Sequence, residues 1–224
     1  ALQMGTSHNL GQGFAKSFGI KFSDENKQEK LPWQSSWGFS TRLIGAVIMV
    51  HGDDKGLVLP PRVAQRKAVI VPIVFGNSKG PVISKAKEIV SALNSAVPEL
   101  NAFVDSRDNY SAGWKFNEWE LKGIPLRIEV GPKDIEKGQA VVVRRDNGAK
   151  EFVPEKELSK RIPLILDAMH KDMFAKAKKF LDSNLVEAKD YDSFKALIEQ
   201  KKLVYGWFCC EPDAEAKIKE ETGA

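Results

Sequence analysis

The chain has 224 residues, 42% hydrophobic and 29% charged, an ordinary globular balance that suits one or two domains. Its net charge of +4, from 34 basic and 30 acidic side chains, is too small to establish a nucleic-acid partner by itself. Nowhere does the apolar character run to about 18 residues, so no transmembrane helix and no membrane partner are expected. Two adjacent cysteines, Cys209 and Cys210, exclude a disulfide framework and suit a reducing compartment.

In chain order, residues 3–9 are small and polar and read as a strand end or turn. Residues 10–18 carry Leu10, Phe14, Ala15 and Phe18 at helical spacing. Residues 23–30 are charged and aperiodic, so a surface loop. Residues 34–40 are polar, aromatic and small, a strand leading into a glycine turn. From Leu43 to Val50 the chain is almost continuously apolar, which predicts a buried helix capped by Ser40 or Thr41. Gly45 inside it costs roughly 1 kcal/mol relative to Ala and marks close backbone approach. Arg42 stands at the mouth of this element and calls for a partner. A guanidinium stacks on purines and forks onto phosphate; a solvated arginine at a helix start is the bland alternative. Residues 51–56 are a dense turn signal, residues 57–59 a short buried strand, and residues 60–67 the boundary of a domain.

Beyond that boundary strands and helices alternate. Strands are expected at residues 68–75, 102–105, 125–130, 140–145 and 151–153. Helices are expected at 83–97, 111–121 and 156–181, with Lys122-Gly123 as a C-cap and Pro163 starting or kinking the last helix. This β-α-β-α-β-β-α order is that of an α/β domain of about 100 residues with a mixed sheet. A smaller α+β unit follows from about residue 191. The basic excess lies in residues 61–155, with 15 basic against 12 acidic side chains, which slightly favours a polyanion there.

Three constellations carry chemistry. Gln3, Thr6 and His8 with Ser36, Gly38, Ser40 and Arg42 leave room for a ligand and offer short hydrogen bonds; two polar sheet edges with a surface histidine are the alternative. Residues 105–123 interleave Tyr110, Trp114, Phe116 and Trp119 with Arg107, Lys115 and Lys122. Aromatics that stack bases beside cations that meet phosphate suit unpaired RNA. Glu118 and Glu120 are able to accept from base amino groups. The alternative is that Trp114 and Phe116 are core and the charges a solvated face. Cys209-Cys210 supplies two neighbouring thiols where a zinc site needs about four ligands at characteristic spacings, so no protein-held metal is predicted. Phosphate-loop, dinucleotide, metalloprotease and hydrolase motifs do not occur.

Together these stretches resemble the C-terminal part of prolyl-tRNA synthetases of the eukaryotic and archaeal type. Residues 5–12, Gly-Thr-Ser-His-Asn-Leu-Gly-Gln, are similar to the family's active-site strand. Residues 37–45, Trp-Gly-Phe-Ser-Thr-Arg-Leu-Ile-Gly, resemble motif 3 of class II synthetases. Residues 49–64 resemble the passage into the anticodon-binding domain, and residues 115–125, Lys-Phe-Asn-Glu-Trp-Glu-Leu-Lys-Gly-Ile-Pro, its signature. The resemblance implies the end of a class II antiparallel-sheet catalytic domain at 1–62, a mixed-sheet anticodon-binding domain at 63–160, and the start of a small α+β domain at 161–224. It implies activation of L-proline with ATP and Mg2+ and transfer to tRNA(Pro), in a cytoplasmic homodimer. By the same resemblance Gln3, Thr6, Ser40 and Arg42 would line an ATP site, and His8, Ser36 and Gly38 a proline pocket. Arg107, Lys115, Phe116, Glu118, Trp119, Glu120, Lys122 and Lys133 would meet the anticodon. Ser40 stands where threonine is usual, Ala112 where proline is usual, and Ala214 where a second metal cysteine is usual. Motifs 1 and 2 do not occur in this chain, which begins without an initiator methionine and reads as a piece of a longer protein. A non-catalytic, synthetase-like tRNA-binding module is the alternative.

Overall fold

A computed structural model describes residues 3–223. The N-terminal part is a two-stranded antiparallel ribbon of β1 (Gly5–Gly11) and β4 (Gln34–Phe39). Between them lie α1 (Gly13–Phe18) and a small hairpin of β2 (Phe22–Ser23) and β3 (Glu29–Lys30). Of the strand end or turn expected at 3–9, the strand is what forms, from Gly5 on and taking in Leu10, and the expected loop at 23–30 is the turn of a hairpin. Opposite charges close that hairpin, with Lys30 on Asp24 at 2.7 Å and Lys21 on Glu29 at 2.8 Å.

Helix α2 (Arg42–His51) follows the ribbon. Ser40 Oγ accepts from the Arg42 backbone N–H at 3.3 Å, while the Thr41 side chain makes no capping bond. The expectation of a buried helix is not met. Only Ala46 is buried, and Leu43, Ile44, Ile48, Met49 and Val50 are exposed, because no described element covers that side. Gly45 has open space around it, so the expected close approach is also absent.

The central sheet has strand order β6-β5-β7-β8-β9, made of β5 (Ala68–Pro72), β6 (Phe103–Val104), β7 (Leu126–Val130), β8 (Gln139–Arg144) and β9 (Lys150–Pro154). Strand β5 runs parallel to β6 and β7; β8 is antiparallel to β7 and β9. The sheet is mixed, as expected. The connecting helices are α3 (Lys79–Ala96), α4 (Ala112–Leu121) and α5 (Pro132–Glu136), the last an element that the apolar pattern of residues 131–139 is too short to announce. All five residues of β5 are buried because helices cover both faces. Alternation divides them. Ala68 and Ile70 pack with α3 and with α6 (Leu158–Asn184), whereas Val69 and Val71 face Phe103, Phe116, Trp119 and Ile124 on the α4 side. The same alternation on β7 sends Leu126, Ile128 and Val130 to the α3–α6 core. Helix α6 continues through Pro163 without interruption and runs across residue 161. Beyond it β10 (Leu185–Glu187) and β11 (Leu203–Tyr205) form a parallel pair with α7 (Tyr191–Glu199) and α8 (Pro212–Thr222).

Residues 57–59, expected as a strand, are not one. Their backbone instead docks on the end of α4, with Leu57 N–H on the Leu121 carbonyl at 3.0 Å and Leu59 N–H on that of Gly123 at 3.3 Å. Gly123 ends α4 with φ +71, its N–H on Glu120 and that of Ile124 on Trp119, a Schellman cap. A Cβ there would stand 2.6 Å from Leu57. Gly148 shares the φ of +71 but has open space. Gly123→Ala is therefore expected to cost at least about 2 kcal/mol in urea melts, against about 1 kcal/mol for Gly148→Ala.

Candidate nucleic-acid interface

The site begins with a buried acid. Asp105 extends β6 by one ladder bond, its N–H on the Ile70 carbonyl at 2.9 Å, which places its carboxylate under α4. That carboxylate accepts from Arg107 Nε at 2.9 Å and Nη2 at 2.7 Å, and from Trp119 Nε1 at 2.9 Å. Buried Lys115 donates to the Asp105 backbone carbonyl at 3.1 Å and lies 4.0 Å from Oδ1. Burial pushes the Asp105 carboxyl up, but the hydrogen bonds from Arg107 and Trp119 and the nearby Lys115 outweigh it and bring it down to about 2. Arg107 is held above its usual range by Asp105 and Glu118, and Glu118 is held below its own by Arg107 and Lys122.

Helix α4 starts where Ser111 Oγ accepts the Trp114 N–H at 3.2 Å. Its first turn carries an open aromatic stack. Tyr110 and Trp114 lie 3.8 Å apart with planes 11° from parallel, 36% and 42% exposed. The Arg107 guanidinium lies 5.0 Å from the Tyr110 ring and 5.3 Å from Trp114. Beside them a cavity of about 260 Å³ opens past the carboxyl ends of β5 and β6, lined among others by Lys79, Asp105, Arg107, Tyr110 and Lys115. Crevices at that end of parallel strands are where open α/β sheets take ligands.

The expected interface residues divide by role. Arg107, Lys115, Glu118, Trp119 and Lys122 form one network, with Lys122 on Glu118 at 2.7 Å and 4.6 Å from the Trp119 ring. Phe116 and Glu120 face β7, where Arg127 lies 4.1 Å from the Phe116 ring and bonds Glu120 at 2.8 Å and Glu129 at 3.0 Å. Both glutamates expected to meet bases therefore already hold cations. Lys133 stands exposed on α5, outside the cavity lining. Asp105 and Arg127 belong to the site although no expected role fell on them, and Tyr110 and Trp114, expected among the aromatics that stack bases, form its exposed pair. The alternation of β7, with Arg127 and Glu129 between apolar neighbours, is the signal for Arg127.

The second group of expected residues lies along the ribbon. Thr6 stands opposite Gly38 and His8 opposite Ser36, so these four share one face. At the end of that ribbon Arg42 Nη1 donates to the Gln3 carbonyl at 3.0 Å, and Ser40 caps the Arg42 backbone. Arg42 thus has a partner, and its guanidinium remains exposed. The opposite face presents Trp37 and Phe39 to open surface.

Residues 67–163 match the family model described as an anticodon binding domain. Along its whole length the chain is 50% identical to a proline–tRNA ligase of Rubrobacter xylanophilus and 48% identical to proline–tRNA ligase 2 of Clostridioides difficile. The chain is homologous to the proline–tRNA ligases. It spans about half the length of these curated relatives, 47% and 46%. The stacked Tyr110–Trp114 pair and the Asp105 network both fall inside the anticodon-domain match.

Asp105 makes the site pH-sensitive at the acid end. Its folded carboxyl is lowered from 3.8 to about 2, so its contribution, about 2 kcal/mol, is full above pH 4 and is lost as pH falls toward 2. Thermal melts between pH 5 and 2 are expected to show this loss, and Asp105→Asn to remove that part of the slope.

Proposed function

We propose that this chain supplies the motif 3 ribbon and the anticodon-binding domain of a proline–tRNA ligase. The reaction is activation of L-proline with ATP, followed by transfer to tRNA(Pro), in a cytoplasmic homodimer. The observation that carries the reading is the exposed Tyr110–Trp114 stack with Arg107 against it, inside the anticodon-domain match. Unpaired bases have faces that extend such a stack, and a cation beside it meets the phosphate. In this reading Arg107 and Lys122 serve the RNA from their network positions, Lys115 and Phe116 set the helix that presents them, and Glu118, Trp119 and Glu120 hold those cations in place. Lys133 adds charge from α5. The proposed division is a catalytic part at 1–62, the anticodon-binding domain at 63–160 and a C-terminal domain from 161, joined through the unbroken α6.

On the ribbon, Gln3, Thr6, Ser40 and Arg42 form the proposed ATP side, and His8, Ser36 and Gly38 the proline side. A guanidinium has five N–H donors, and the Gln3 carbonyl engages one of those on Arg42. The others suit an adenine face or phosphate oxygens. Among the described residues no group of three or more His, Cys, Asp or Glu gathers to hold a metal ion. Mg2+ is commonly carried by substrate phosphates with one or two carboxylates and needs no such cluster.

In the complete protein, Arg42→Ala is expected to lower proline-dependent pyrophosphate exchange about 100-fold. Near-normal exchange would remove Arg42 from the site. Trp114→Ala is expected to weaken tRNA(Pro) binding roughly tenfold, the value of one base–aromatic stack, with exchange unchanged. A module that only binds tRNA would retain this binding and show no exchange.

A further inference from the structure

One ion pair joins the two candidate sites. Arg145 follows β8, and its side chain is 4% exposed. Its guanidinium forks onto Asp53, Nη1 to Oδ2 at 2.7 Å and Nη2 to Oδ1 at 2.6 Å. Its Nε donates to the Glu120 backbone carbonyl at 2.8 Å, in the last turn of α4. Asp53 stands two residues beyond the end of α2. Its turn is closed by paired backbone bonds with Gly56 at 3.1 and 3.0 Å, and Oδ1 also accepts the Lys55 N–H at 2.9 Å. Gly52 N–H reaches back to the Ile48 carbonyl at 2.8 Å, so the turn is fastened to α2. Around the fork the two segments leave no slack. A Cβ on Gly56 would stand 2.7 Å from the Leu121 carbonyl, and Leu57 donates to that same carbonyl at 3.0 Å.

Arg42 opens α2, and Trp114 and Arg107 engage α4. The fork links the far ends of these two helices through one planar, rigid group. We infer that Asp53 and Arg145 are a positioning pair that transmits the seating of α4 on RNA to the Arg42 end of α2. The inference rests on the ligase reading. A planar fork suits such a role better than a lysine would, because two parallel hydrogen bonds fix orientation as well as distance. Both carboxylate oxygens of Asp53 are engaged, and the Arg145 hydrogens face two different elements, so a shift of α4 is felt directly at residues 52–56. Asp53 is held down to about 2, chiefly by Arg145, so the pair is charged at every pH at which such an enzyme would work.

The test uses the complete protein, wild type and Asp53→Asn, with tRNA(Pro) and the same tRNA carrying a substituted anticodon. The amide keeps one acceptor and the shape of the side chain while removing the charge and half the fork. Wild type is expected to charge proline and to lose kcat with the substituted anticodon. Asp53→Asn is expected to keep tRNA-independent pyrophosphate exchange within about twofold, to lose about tenfold in kcat for charging, and to lose most of the anticodon penalty in kcat. Asp53→Glu, which restores the charge, is expected to recover part of both. An unchanged anticodon penalty in Asp53→Asn overturns the inference. So does an equal loss of exchange and charging accompanied by a lower melting temperature, the mark of a purely structural pair. A wild type without proline-dependent exchange overturns the ligase reading, and the coupling falls with it.

Discussion

The buried Asp105 carboxylate is the constraint on which the interface depends. It leaves water only because Arg107, Trp119 and Lys115 supply donors around it. In return it fixes each of them. Arg107 is held with its guanidinium 5.0 Å from the Tyr110 ring and 5.3 Å from Trp114. Trp119 is held in the layer between α4 and β5, and Lys115 is drawn beneath the helix instead of out into solvent. Removing the acid would leave buried Lys115 without its nearby counter-charge and Arg107 with Glu118 alone, a change that costs more than the loss of any surface pair. What reaches the surface is then an aromatic stack and a cation already oriented, so a base that adds to the stack meets a prepared face.

The fold was legible where apolar spacing is long and unambiguous. Residues 68–75 and 140–145 read as strands because their continuous apolar runs need cover; on β5, α3 and α6 supply it on one face and α4 on the other. The helix at 156–181 read correctly through Pro163, since the apolar stripe of Leu158, Ile162, Ile165, Leu166 and Met169 continues past it. Short elements were not legible. The β2–β3 hairpin is held by two ion pairs and a turn, which leave no periodic trace, and α5, with 5 residues, is only one residue longer than a β-turn. Residues 57–59 looked like a strand because Leu-Val-Leu is apolar. Their burial comes from docking on the end of α4, a tertiary contact that alternation cannot show. Helix α2 looked buried for the same reason, yet its apolar side faces open surface in the described residues.

The candidate sites were legible as composition before they were legible as geometry. Aromatics interleaved with cations marked residues 105–123 as a place to meet unpaired RNA. Composition did not say that Glu118 and Glu120 would spend their charge on Arg107, Lys122 and Arg127. Nor did it give a role to Asp105, which reads only as the last residue of a short expected strand. Arg42 shows the opposite relation. Its need for a partner followed from its place before an apolar run, and the partner is a backbone carbonyl 39 residues away, which only the pairing of β1 with β4 brings within reach.

The central claim is that Tyr110, Trp114 and Arg107 present a stacking face to an unpaired base. Its most direct measurement is fluorescence of a 2-aminopurine base placed in the anticodon loop of a proline-tRNA hairpin, titrated with the whole chain. Emission of that base falls when it stacks. The structure predicts saturable quenching that weakens with added salt and is lost when Trp114 is replaced by alanine. Binding of the hairpin with emission unchanged or raised would contradict it.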